Sequence, residues 1–157
     1  MSDNLSAAVD YAAIEQEIRR ELARITDSAQ AMTRVVELLK ARVPDYNWVG
    51  IYQLFGNELV LGPFACKPSP HTRIPVGRGI CGAAAAEKTT IIVGDVSADT
   101  RYLACNPETQ SEIVVPIMRG SEVLGEIDID CDKCEAFGDD DKWLLESVAS
   151  ILAEKWR

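Results

Sequence analysis

The chain has 157 residues, 47% hydrophobic and 26% charged, with a formal net charge of −9. That is enough for one domain with a proper core, and the acidic balance speaks against nucleic acid and anionic membrane surfaces as partners. No apolar run approaches the roughly 18 residues of a membrane span, and the first residues lack the basic and apolar regions of a signal peptide, so a cytoplasmic protein is expected.

Residues 9–25 read as a helix with Ile14, Ile18, Leu22 and Ile25 on one stripe. Asp27 or Ser28 can cap a second helix, with Met32, Val35, Val36 and Leu39 as its apolar face, ending before Pro44. The period then changes from helical to twofold. Residues 46–54 alternate as a strand, with Trp48 and Tyr52 on one side and Val49 and Ile51 on the other. Phe55, Gly56 and Asn57 mark a turn into a second strand over residues 58–64. Residues 65–79 contain Pro68, Pro70, Pro75, Gly77 and Gly79 and read as a loop. A short alanine-rich helix follows over 81–87, then strands over 91–93, 112–118 and 122–130, the last two joined at Gly120-Ser121. The final helix starts at 139–141 with acids at its positive end and Leu144, Leu145, Val148, Ile151 and Leu152 inward. This order predicts a single α+β domain: an antiparallel sheet, terminal helices on one face and a loop-covered pocket on the other.

The chemistry concentrates in residues 101–130. Glu126, Asp128 and Asp130 alternate with Ile127 and Ile129, so the acids share one strand face and the isoleucines the other. Like charges so spaced repel, and a cationic group would offset the repulsion; the plain alternative is a solvated strand face. Cys105 lies nearby in a polar stretch before Pro107, which disfavours helix, and loop placement fits an accessible nucleophile better than a core thiol. A thiol beside an acidic pocket suggests redox chemistry on a small molecule carrying an amine.

Five cysteines in a chain expected to stay in a reducing compartment argue against a structural disulfide framework. Gly77-Arg78-Gly79-Ile80-Cys81-Gly82 has the letters of a dinucleotide loop but no βαβ unit around it. It reads instead as a tight turn placing Cys81 at a helix N-terminus, where a thiol pKa falls, or as a small buried residue. Cys131-x-x-Cys134 is half a zinc site, a redox dithiol, or two surface thiols in a turn. His71 is the only histidine, in a proline-rich loop. No metal site is expected.

Several segments together resemble a known family. They are Asn47-Trp48-Val49-Gly50-Ile51-Tyr52, Leu61-Gly62-Pro63-Phe64, Thr72-Arg73-Ile74-Pro75 and Gly79-Ile80-Cys81-Gly82, then Leu103-Ala104-Cys105, residues 111–116 (SEIVVP) and residues 125–130 (GEIDID). Over residues 28–155 the chain is similar to GAF domains of the free methionine-(R)-sulfoxide reductase type, with residues 1–27 as a helical extension. The resemblance implies a sheet with helices on one side and the ligand pocket on the other, often in a homodimer. It implies reduction of free methionine-(R)-sulfoxide without a cofactor, with thioredoxin or a small thiol as reductant. Cys105 would be the nucleophile and Cys81 a second family cysteine. Trp48 and Tyr52 would cage the methyl-sulfur end, and Glu112, Asp128 and Asp130 would hold the ammonium and the sulfoxide oxygen. Well-known members carry another cysteine where this chain has His71; Cys66, Cys81 and Cys131 are then the candidates to resolve Cys105. A non-catalytic GAF sensor of a small molecule is the competing reading.

Overall fold

The computed structural model of the chain describes residues 8–103 and 106–156. Its first helix, α1 (Tyr11–Leu22), starts where the Asp10 carboxylate accepts the Ala13 amide at 3.0 Å. The second, α2 (Ser28–Arg42), starts in the same way at Asp27, which accepts from Gln30 at 3.0 Å. The strands β1 (Trp48–Phe55), β2 (Glu58–Ala65), β3 (Arg73–Pro75), β4 (Ile91–Val93), β5 (Ser111–Arg119) and β6 (Glu122–Cys131) form one antiparallel sheet in the order β3-β2-β1-β6-β5-β4. Between them lies α3 (Gly79–Glu87), and α4 (Asp139–Lys155) closes the domain.

Strand register separates two chemistries. Val49, Ile129 and Ile113 stand side by side across β1, β6 and β5, as do Ile51, Ile127 and Val115. This face packs against α2 and α4, with α1 lying on those two helices, burying Leu39, Leu144, Leu145 and Val148 in one apolar cluster. Ile14, Ile18 and Leu22 of α1 belong to the same cluster. Asp141 ties α1 to the domain: its carboxylate accepts from Tyr46 at 2.7 Å, from Tyr11 at 3.2 Å and from the Gly138 amide at 2.9 Å.

The opposite face has the rows Trp48–Asp130–Glu112, Gly50–Asp128–Val114 and Tyr52–Glu126–Pro116. Helix α3 and the loops after β2 and before β5 cover it. Two details depart from the sequence expectation. Part of the proline-rich loop is β3, which pairs Ile74 with Leu59 and buries Ile74; an edge strand tolerates Pro75 because its missing amide need not serve the ladder. A short 3₁₀ helix, Val96–Ala98, is capped by Asp95, which accepts from the Ser97 amide at 3.0 Å.

Candidate functional site

The four acids are interior groups. Glu126 is 0% exposed, Asp128 2%, and Glu112 and Asp130 5% each, which removes the solvated-face alternative. Adjacent β5 and β6 bring Glu112 beside Asp130, a contact between residues far apart in sequence. Among the described residues, no Lys, Arg or His forms an ion pair with Glu126, Asp128 or Asp130. Both oxygens of Glu126, Oδ1 of Asp128 and Oδ1 of Asp130 are buried without a hydrogen-bond partner. Burial is the largest influence on all three groups and pushes their pKa values up, well up for Glu126 and Asp130. The Asp128 charge adds to the rise at Glu126 and Asp130. Hydrogen bonding with Glu112 and Cys81 offsets part of it at Asp128. Upward shifts of this kind favour the protonated acids; a protonated carboxyl can donate a proton, and an ionised one can accept a cation.

The aromatic residues of β1 serve as walls and as anchors for the covering loop. Trp48 donates from Nε1 to the carbonyl of Lys67 at 2.8 Å, and the Tyr52 hydroxyl donates to the carbonyl of His71 at 2.9 Å. The indole folds back over Gly50, where an added Cβ would come within 2.2 Å of it. Phe64 of β2 stacks on the indole, with centroids 6.1 Å apart and planes at 16°. A cavity of about 160 Å³ opens beside Trp48 and Asp130 and is also lined by Lys67, Ser69, Asn106 and Glu108. Lys67 and Glu108 bridge the two covering loops at 3.4 Å. A separate narrow cleft touches Tyr52, Cys81, Leu103, Glu112 and Asp128.

Residues 13–155 match the GAF domain family. The chain is 34% identical over 142 residues to the free methionine-R-sulfoxide reductase of Escherichia coli (strain K12), covering 90% of this chain and 86% of that protein. It is 39% identical over 132 residues to the free methionine-R-sulfoxide reductase of Saccharomyces cerevisiae, covering 82% and 73%. The X-ray structure of free methionine-R-sulfoxide reductase from Neisseria meningitidis in complex with its substrate superposes with a TM-score of 0.89 at 34% identity, covering 93% of this chain and 87% of that one. The chain belongs to the GAF-domain family of free methionine-R-sulfoxide reductases.

For a member of this reductase family the cysteines are the next question. Cys105 lies outside the described residues. Of the described residues nearest to it in sequence, Asn106 lines the 160 Å³ cavity, and Leu103 packs against Gly79, the first residue of α3, where an added Cβ would meet Leu103 Cδ1 at 2.7 Å. Cys81 is the third residue of α3 and donates from Sγ to Asp128 Oδ2 at 3.4 Å. Here the sequence expectation of a lowered thiol pKa is corrected. Burial, then the charges of Asp128, Glu126 and Glu112, push the Cys81 pKa well up, and these outweigh any benefit of the helix N-terminus.

Cys66 is exposed, with a left-handed backbone (φ 98°). It lines a second cavity, of about 200 Å³, with Trp48, Asn106 and Asp130. Cys131 follows Asp130 directly and therefore alternates onto the helix side, where it joins the main core. Burial pushes its thiol pKa up as well. Cys131 and Cys134 are thus one core thiol and one exposed thiol, not two surface thiols in a turn. His71 contributes its backbone carbonyl to the Tyr52 anchor. Cys81 Sγ and one carboxylate oxygen each of Glu112 and Asp128 lie within 4.8 Å of one another, a spacing compatible with a shared divalent ion.

Sequence reasoning gave no individual role to Gly50, Phe64, Lys67, Ser69 or Asn106, although Gly50 and Phe64 stand in the family-like segments. Gly50 did carry a signal: a glycine inside a strand marks close approach of another group. The loop residues carried none, because their role depends on which sheet face the loops cover.

Proposed function

We propose that this chain reduces free L-methionine-(R)-sulfoxide to methionine in a thiol-dependent reaction. The observation that supports it most is the buried acid cluster beside Trp48 and Tyr52, in a chain 34% to 39% identical to free methionine-R-sulfoxide reductases. Trp48 and Tyr52 flank the methyl-sulfur end, while Glu112, Asp128 and Asp130 receive the ammonium and the sulfoxide oxygen. The Cys105 thiolate attacks the sulfoxide sulfur, and a protonated carboxyl of the cluster protonates the oxygen. Methionine leaves as the oxygen passes to Cys105, giving a sulfenic acid. A second thiol condenses with it, releasing water and forming a disulfide that thioredoxin or a small thiol reduces by exchange. Cys81 and Cys66 are the resolving candidates on the acid side of the sheet; Cys131 faces away from it. A cluster that buries the substrate ammonium leaves no room for a peptide chain, hence the preference for the free amino acid. A cytoplasmic homodimer is the accompanying expectation.

The test is thioredoxin-coupled NADPH oxidation with the R- and S-epimers of free methionine sulfoxide, beside Cys105→Ser. R-selective turnover that disappears in the variant is the expected result. Saturable binding without turnover under thioredoxin, glutathione or dithiothreitol would instead leave a GAF sensor.

A further inference from the structure

We propose that Cys81, Glu112 and Asp128 form a binding site for a divalent zinc ion, which occupies the acid pocket in competition with the amino-acid ligand. Three side chains from three elements (α3, β5 and β6) converge there, each buried, with their donor atoms within 4.8 Å of one another. One of these separations, between Cys81 Sγ and Asp128 Oδ2, is 3.4 Å. Zinc bonds of about 2.0–2.3 Å in a tetrahedron hold their ligand atoms roughly 3.5 Å apart. Rotamer adjustments of about an ångström therefore close the set.

The unpartnered carboxyl oxygens point to a ligand independently of that spacing. Asp128 Oδ1 and both oxygens of Glu126 are buried without hydrogen bonds. A buried polar atom so placed is costly unless something satisfies it. An ammonium group satisfies the carboxylates but gains nothing from a thiol. A borderline-soft cation uses both, because zinc takes sulfur and carboxylate oxygen together. On binding, the Cys81 S–H bond breaks, its proton leaves to solvent and a Zn–S bond forms; no redox change is involved. The narrow cleft beside Tyr52 and Leu103 gives the ion its place next to these donors.

Zinc binding does not depend on the proposed activity; competition with the amino acid does rest on that reading. The test is a zinc titration of the reduced full chain against a chromophoric chelator, for the wild type and for Cys81→Ser, Glu112→Gln, Cys105→Ser and Cys134→Ser. One zinc per chain is expected, unchanged in Cys105→Ser and Cys134→Ser. Cys81→Ser and Glu112→Gln should each weaken it by at least the roughly 10–100-fold seen when only a supporting partner is lost. Added L-methionine should lower the apparent zinc affinity. Equal affinity in both site variants overturns the proposal, as does a loss confined to Cys134→Ser or Cys105→Ser. Site-dependent zinc binding that methionine leaves untouched overturns the shared pocket. A chain that binds zinc in this pattern yet never reduces the sulfoxide would refute the reductase reading and leave the metal site standing.

Discussion

Glu126 has the most unfavourable surroundings of the four acids: fully buried, beside Asp128, with neither oxygen hydrogen-bonded. Its folded-state pKa lies well above the ordinary carboxylate value. A group shifted that way contributes stability that is fully present below its unfolded pKa and is lost as pH rises through the folded one. Together with Asp128 and Asp130, which shift in the same direction, it should make the fold more stable in mildly acidic buffer than at pH 8. Glu126→Gln should raise the thermal midpoint at pH 8 by a few degrees, on the order of 1 kcal/mol, and shrink the difference between pH 5 and pH 8. Thermal unfolding at the two pH values checks both; a lower midpoint at pH 8 would show that the charge is compensated. Tyr52 offers a test of a different kind. Tyr52→Phe keeps the ring but removes the hydrogen bond to the His71 carbonyl, worth about 1 kcal/mol. The covering loop loosens, and KM for the sulfoxide should rise about fivefold with kcat less affected. Steady-state kinetics would show it, and an unchanged KM would mean the loop is held by other contacts.

At the scale of elements, the start of α3 and the loop leading to Cys105 are packed as one unit. Gly79 sits at φ +68°, and a Cβ there would come 2.7 Å from Leu103 Cδ1 and 2.9 Å from Cγ. The left-handed conformation alone costs an L-residue roughly 1–2 kcal/mol, and the contact pushes on a residue two positions before Cys105. If Cys105 is the nucleophile proposed above, Gly79→Ala should lower kcat on the order of tenfold or more while the fold survives, because small displacements of a reacting group have large kinetic effects. Measuring kcat and the thermal midpoint on the same preparation separates the two effects; full kcat with a reduced midpoint would show that the loop position does not depend on α3. Burial of the start of α3 against the acids explains why the Cys81 thiol shifts upward. The helix that could have activated it also drives it into the carboxylates.

For the whole molecule, residues before 28 are the informative ones. Ile18 and Leu22 are 0% exposed and Ile14 6%, all in the core cluster that holds α2, α4 and one sheet face. Three such side chains stabilise by roughly 1.5–3 kcal/mol each, a sum comparable with the net stability of a domain, about 5–15 kcal/mol. A chain beginning at Ser28 should lose its cooperative thermal transition and bind a hydrophobic dye; a sharp transition in that truncated chain would show that α1 is dispensable. Tyr46→Phe tests the polar side of the same junction. It removes the 2.7 Å bond to the buried Asp141 carboxylate and should cost about 1–3 kcal/mol in denaturant unfolding.

Much of this was legible in the chain. Alternation in residues 46–54 and 122–130 assigns Trp48, Tyr52 and the acids to one face and the aliphatic residues to the other, because strand side chains alternate whatever the tertiary context. Helical stripes and the Asp27 cap are equally local. The segments between Asn47 and Asp130 were together specific enough to suggest the family. Tertiary structure decided what local rules do not contain. Pairing between β5 and β6 set Glu112 beside Asp130, and the covering loops turned an acidic strand face into a buried cluster. The same alternation that gathered the acids carried Cys131, their immediate neighbour in sequence, to the far side of the sheet. Burial also reversed the expected shift at Cys81. Local geometry follows from bonded neighbours, whereas desolvation and charge follow from groups brought together only when distant segments pack.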